Sequence, residues 1–417
     1  MPTPFSRRRF LQTGVCASSL VAVGLDVPGF LANTAVAAAK RRNGNRAAAN
    51  NVLVVIQLSG GNDGLNTVIP YADPLYAKNR ILLRIPEQQV IKVDDHIGLH
   101  PSLSGFGELL EQDQLAIVQG VGYPNPDRSH FRSMDIWHSA APHDLTPRTG
   151  WLGRALDTRR GEEQRDAPGL HLGANELPLA LVSRETAIPS IDSLDAFRLR
   201  TSSGALSADS LREVSQLSTS GDSSLAQFIQ RSTLSALDSS ERVQESLGKT
   251  KGPSEYPNYG LARKLELVAQ LIDAGMETSI YYVELGGFDT HSSQADAHAA
   301  LLRELGDSTA AFLKDIQARG QQDRVLVMSF SEFGRRVREN SSAGTDHGTA
   351  APMFLAGAPV QSGPVGEHPS LSNLQAGDLK FHTDFRSVYA GVLDGWLGCD
   401  STTVLGESFE ATPVLRV

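Results

Sequence analysis

Val52-Leu53-Val54-Val55-Ile56, followed by the turn Ser59-Gly60-Gly61-Asn62-Asp63-Gly64, is the stretch that decides the fold class. Five apolar residues in a row, mostly β-branched and without polar alternation, predict a strand buried on both faces. Similar runs recur downstream at Leu115-Ala116-Ile117-Val118, Ser279-Ile280-Tyr281-Tyr282-Val283-Glu284-Leu285, Val325-Leu326-Val327-Met328-Ser329-Phe330 and Pro352-Met353-Phe354-Leu355-Ala356. Helical patterns over residues 103–110 and 295–319 precede the second and fourth of these. Strands alternating with amphipathic helices predict an α/β domain, a mostly parallel sheet sandwiched by helices. Over residues 200–252 serine dominates and large apolar residues thin out, which reads as an inserted helical or irregular cap, or as a surface excursion.

Ahead of the first strand, Ser6-Arg7-Arg8-Arg9-Phe10-Leu11 is a twin-arginine signature, and a weakly apolar stretch follows it. Ala35-Val36-Ala37 supplies a small-x-small cleavage site. Residues 1–37 therefore read as a signal peptide, residues 38–51 as a basic tether, and residues 52–417 as the folded domain. Asp26, Pro28 and Asn33 interrupt the apolar stretch, so a membrane anchor is not expected. Val15 before Cys16 argues against a lipoprotein site. The expectation is export through the twin-arginine translocase to the periplasm or beyond, with no membrane span after cleavage. Cys399 is then the only cysteine left, so no internal disulfide forms. A net charge of −9 and a pI near 5.7 disfavour nucleic acid as a partner.

Ligands of parallel sheets bind at the carboxyl ends of the strands, so the polar residues near those ends matter most. They include Asn62 and Asp63 after the first strand, and Ser129-His130 at a helix start after the second. Gly286-Gly287-Phe288-Asp289-Thr290-His291 follows the third, and Ser331-Glu332-Phe333-Gly334-Arg335 ends the fourth. Thr345-Asp346-His347-Gly348 precedes the fifth, and Phe381-His382-Thr383 stands ahead of a last helix. Carboxylate oxygen and imidazole nitrogen are ligands of zinc and also suit manganese. Any one of these pairs is an ordinary turn when met alone; the ordered set carries the signal. No Gly-x-Ser-x-Gly elbow and no His-Glu-x-x-His helix occurs, and Gly120-Val121-Gly122 lacks the third glycine of a dinucleotide site. His100 reads as a structural cap, and Trp137 and Trp151 as core or pocket wall.

The order Asp63-Gly64-Leu65, Ser129, Asp289-Thr290-His291, Asp346-His347-Gly348 and His382 resembles the alkaline phosphatase superfamily, which includes phosphatases, phosphodiesterases and sulfatases. A closer resemblance is to a bacterial family of twin-arginine-exported proteins without an assigned activity. It rests on Leu58-Ser59-Gly60-Gly61-Asn62-Asp63-Gly64, Ser129-His130-Phe131, Gly287-Phe288-Asp289-Thr290-His291 and Ser331-Glu332-Phe333-Gly334-Arg335. The superfamily resemblance implies an alkaline-phosphatase-like fold and one or two divalent ions, zinc or manganese. It implies that Asp289, His291 and His382 hold one ion, and Asp63, Asp346 and His347 the other. It also implies that Ser129 is a metal-activated nucleophile toward an anionic ester. Asn62, His130, Glu332 and Arg335 are further candidates for ligation or substrate contact. Two spacings depart from the superfamily's pattern: only Thr290 separates Asp289 from His291, and residues 332–345 intervene between the fourth strand and Asp346-His347. Ser129-His130-Phe131-Arg132 lacks the proline of formylglycine sulfatases, so phosphate esters are expected ahead of sulfate esters. The alternative is a non-catalytic member of the same fold that binds a surface polymer or a partner.

Overall fold

Every side chain of β1 (Val52–Ser59) except Ser59 is buried, as its unbroken apolar run requires. The computed structural model describes residues 50–159, 166–173, 176–191 and 254–416. The expected signal peptide, nearly all of the tether and the insertion at residues 200–252 lie outside the described residues. Among the described residues, no helix is long and apolar enough to cross a membrane.

The other strands of the main sheet are β2 (Leu115–Gly122), β3 (Gly169–Leu172), β4 (Ser190–Ile191), β5 (Ile280–Gly286), β6 (Val325–Ser331), β7 (Ala351–Ala356), β8 (Gly363–Val365) and β9 (Thr383–Asp384). They are ordered β8-β2-β7-β6-β1-β5-β3-β4, with β9 pairing the far end of β2. β1 lies between β5 and β6, parallel to both, in the registers Leu53↔Ile280 and Val52↔Val325. The expected mostly parallel α/β sheet is therefore present. One strand corrects the sequence reading: β7 is antiparallel to both β2 and β6. Its leading loop, which carries Asp346-His347, thereby reaches the same edge as the carboxyl ends of β1, β5 and β6.

Alternate residues of β1 feed two cores. Val52, Val54, Ile56 and Leu58 pack toward α1 (Ser104–Glu111), α4 (Gly260–Asp273) and α5 (Gln294–Ala318). Leu53 and Val55 pack toward α2 (His130–Ser139), α3 (Trp151–Thr158) and α6 (Phe385–Val392). On that second face Trp137 stacks between Phe330 and Phe385, with ring centroids at 5.3 and 4.4 Å, and Trp151 stacks on Tyr389 at 4.0 Å. Both tryptophans are core residues. His100 caps locally, its Nδ1 accepting from the Ser102 amide at 3.0 Å.

Candidate metal centre

Beyond Gly286 the chain turns through Gly287 and Phe288 and presents Asp289 and His291 at the sheet edge. Gly60 (φ +120°) passes so close beneath that a Cβ there would sit 2.3 Å from the Asp289 nitrogen, so only glycine fits. The segment between β6 and β7 folds back on itself, with Arg335 and His347 bridged antiparallel. His130 enters from the first turn of α2.

These loops bring three imidazoles around one carboxylate oxygen. Asp289 Oδ1 lies 3.0 Å from His291 Nε2, 3.1 Å from His347 Nε2 and 3.5 Å from His130 Nε2. His291 Nε2 and His347 Nε2 are 2.9 Å apart. Asp346 Oδ1 stands 3.4 Å from His291 Nδ1 and accepts from Asn340 Nδ2 at 3.1 Å. On the protein side, Arg335 Nη2 donates to Asp289 Oδ1 at 2.7 Å. Burial acts to raise the Asp289 carboxyl, but Arg335, through its hydrogen bond and its charge, outweighs it and holds the group down at about 2. The Asn340 hydrogen bond lowers Asp346 in the same sense.

Two of the imidazoles are oriented from behind. His130 Nδ1 donates to Glu332 Oε1 at 2.8 Å, and that hydrogen bond raises the imidazole's pKa. Glu332 is 1% exposed and is itself held by the Gly60 amide at 2.8 Å. Its backbone carbonyl accepts from Ser133 Oγ at 2.6 Å, which ties α2 to the end of β6. His347 Nδ1 donates in the same way to the Arg128 carbonyl at 2.8 Å. With Nδ1 occupied, the neutral ring of each turns its Nε2 lone pair toward Asp289. His130 Nε2 is buried and has no hydrogen-bond partner. An imidazole fixed by a carboxylate or carbonyl on one nitrogen and unsatisfied on the other is the arrangement of a metal ligand. His130, Asp289 and His347 offer ligand atoms that all lie within 4.8 Å of one another, and His291 stands beside them. This oxygen and nitrogen donor set fits zinc or manganese.

The remaining candidates are placed differently. Asp63 is buried in a two-pronged ion pair with Arg80, whose Nη2 reaches Oδ1 at 2.8 Å, and Gln294 Nε2 donates to its other oxygen at 2.5 Å. Burial opposes its ionisation, but Arg80 outweighs that and lowers the carboxyl's pKa. Asn62 is also buried; its Oδ1 meets Thr67 Oγ1 at 2.9 Å and His298 Nε2 at 3.0 Å, while its Nδ2 has no partner. His382 sits over Gly120, its Nε2 donating to the Glu367 carbonyl at 2.7 Å. Neither Asp63 nor His382 makes a contact with the imidazole cluster. Arg335 is buried and fully engaged: it donates to the carbonyls of Gly60, Gly61, Phe288 and Thr345 as well as to Asp289. Ser129 is the exposed N-cap residue of α2, in extended conformation, and its hydroxyl makes no capping bond. The Asp127 carboxylate accepts from its amide at 2.8 Å.

Sequence reasoning underrated His130, which stands within the cluster; its adjacency to Ser129 at a helix start was the available signal. Arg80 and Asn340 were missed, because their partners Asp63 and Asp346 meet them only through tertiary folding.

No curated protein matches the chain. Among solved structures, the lipoteichoic acid synthase LtaP from Listeria monocytogenes is similar over 90% of this chain and 82% of that one, at 8% identity and TM-score 0.37. The PsFucS1 sulfatase from Pseudoalteromonas sp. is similar over 90% and 77%, at 10% identity and TM-score 0.35. The phosphonate monoester hydrolase of Agrobacterium radiobacter is similar over 86% and 78%, at 11% identity and TM-score 0.32. Residues 50–387, which hold β1 and every member of the imidazole cluster, match the family model described as "Protein of unknown function (DUF1501)", and the chain belongs to that family.

Proposed function

We propose that the protein hydrolyses anionic esters, phosphate esters first, at the Asp289–His291–His347–His130 centre, with Ser129 as nucleophile. The observation that carries this reading is the pairing of oriented, unsatisfied imidazole nitrogen with a free hydroxyl on the preceding residue: His130 Nε2 lacks a partner, and Ser129 lacks a capping bond. A bound zinc or manganese ion would supply Lewis acidity, lowering the hydroxyl's pKa and polarising the ester. Asp289, His291, His347 and His130 would hold it.

The chain's own groups do the rest. The ten-residue helix α2 turns its amino end, with unsatisfied N–H groups and the positive end of its dipole, toward the anion that Ser129 attacks. Oγ forms the new bond to phosphorus as the bond to the alcohol breaks. The proton lost by the hydroxyl balances the one taken up by the departing alkoxide, and water then cleaves the seryl ester. The twin-arginine motif supports a site of action outside the cytoplasm.

The test is paired. Elemental analysis of protein purified without chelator should find zinc, manganese or a similar ion. Ser129→Ala should keep the metal and the melting temperature, because no capping bond is lost, yet lower kcat on an aryl phosphate by about 100-fold or more. Full activity in the variant removes Ser129 from the mechanism. A metal-loaded parent inert toward every phosphomonoester and diester would instead make the protein a binding member of its family.

A further inference from the structure

Next to the cluster lies an open cavity of about 520 Å³, within the range of small-molecule sites. Its wall includes Glu332, which orients His130, and Arg128, whose carbonyl orients His347 and whose neighbour is Ser129. Ser129 follows Arg128 in the chain, so the cavity borders the segment that carries the serine. Asn125, Gln375, Lys380 and Phe381 also line the cavity.

Two of these side chains are presented by unusual backbone. Asn125 lies between Pro124 and Pro126 with φ +53°, a left-handed conformation that is further disfavoured before proline. Gln375 closes a tight turn with Asp378, each donating to the other's carbonyl at 2.9 and 3.0 Å. Within that turn Ala376 takes φ +52° and Gly377 φ +86°; at the first position glycine or asparagine is the usual choice. Strained non-glycine backbone is retained where its surroundings over-determine it, and it gathers at ligand sites. The side-chain amides of Asn125 and Gln375 are exposed and make no hydrogen bond among the described residues. Nearby, Arg128 and Arg336 share the buried carboxylate of Asp378 and Lys380 pairs with Asn373, while Asp127 and Glu332 line the same cavity, so its wall is of mixed charge.

Resting on the ester hydrolase reading, we propose that this cavity is the subsite for the alcohol half of the substrate, and that the substrate is a phosphorylated carbohydrate. Each free amide offers two donors and an acceptor above a backbone set by its turn, which matches vicinal hydroxyls. Neither contributes to an apolar slot of the kind a purely aryl leaving group would need. Trp137 and Tyr123, the other aromatic walls, are buried in ring-to-ring contacts, so no open aromatic platform is left for a nucleobase beyond the half-buried Phe381.

The experiment compares Asn125→Ala and Gln375→Ala with the parent on three probes: a hexose phosphate, a nucleoside monophosphate and an aryl phosphate. Each variant should lower kcat/KM for the hexose phosphate by about 5- to 10-fold, the scale of one or two neutral hydrogen bonds, through KM. The aryl phosphate, which offers the amides no vicinal hydroxyls, should lose distinctly less. Equal losses on all three probes, no loss on any, or a parent preference for the nucleotide or aryl ester would overturn the assignment. Calorimetric binding of the hexose phosphate to Ser129→Ala protein separates this inference from the hydrolase reading. Binding that either amide substitution weakens upholds the subsite even if no ester is cleaved, and absent binding removes it.

Discussion

Glu332 makes its contribution through another residue. Its carboxylate fixes which nitrogen of His130 carries the proton and where the ring points, while the Gly60 amide holds the carboxylate itself. Partners of this kind contribute roughly 10- to 100-fold to metal affinity. Glu332→Gln keeps the shape and still accepts from Gly60, but it replaces a charged acceptor with a neutral one. It should weaken zinc or manganese binding by about that factor in a chelator competition titration, with little change in melting temperature. Unchanged affinity would mean that His130 lies outside the coordination sphere. Arg335 has the opposite character: bonded to four carbonyls and Asp289 and wholly buried, it clamps three loops and lies out of a substrate's reach. The sequence offered Arg335 as a candidate substrate contact, and its complete burial fills a role that residue type alone could not reveal.

Among the elements, the turn after β1 is the tightest constraint on the site. Gly60 at φ +120° lies against the Asp289 backbone, so Gly60→Ala meets both backbone strain and a main-chain clash. The strain alone costs about 1–3 kcal/mol, and thermal unfolding should report at least that. Gly286→Ala is the control: the same sheet edge, an ordinary φ and no atom within 4 Å of the added carbon, hence a near-neutral effect. Equal melting temperatures for the two variants would show that the loops are not held together as described. β1, β5 and β6 were legible in the sequence because burial on both faces leaves an unbroken apolar signature. The direction of β7 was not, since an apolar run reads the same either way; only its pairing with β2 and β6 sets it. β3, β4, β8 and β9 are short or carry Gly and polar residues, and they escaped the pattern for that reason. At the site, Asp289, His291 and His347 could be read from their places near strand ends. The burial of Asp63 against Arg80 could not, because Arg80 belongs to an irregular connection whose path is set by tertiary packing.

Across the whole molecule, buried histidines govern acid stability. Burial holds His138 and His298 down at about 3, and His100 and His171 at about 4, against an ordinary value of 6.5. Below 6.5 the unfolded chain binds protons at these positions that the native protein refuses. Their stabilising effect is therefore complete above 6.5 and is lost as the pH falls toward 4 and 3. His130 has the reverse sign: with its pKa raised, its contribution is complete below 6.5 and fades as the pH rises through the native value. Asp289, held at about 2, loses its contribution only as the pH falls from 3.8 through 2. The melting temperature should thus decline steadily from about pH 6.5 to about pH 4, with net proton uptake on unfolding. A flat profile over that interval would show that these rings accept protons in the native state without penalty.

The position of β1 has a further consequence, for the order of assembly. It is the first strand of the main sheet to leave the ribosome, yet its register partners Ile280 and Val325 come far downstream. Until β5 and β6 have been made, β1 has no partner on either edge, and joining them closes long loops at an entropic cost. The β6–β7 hairpin, by contrast, closes locally. Glu332, Arg335 and His347 can therefore gather early, whereas the Gly60 amide and carbonyl that complete their hydrogen bonds arrive only when β1 is seated. The first strand synthesised thus waits for β5 and β6, and it brings the glycine turn that locks the site's loops together.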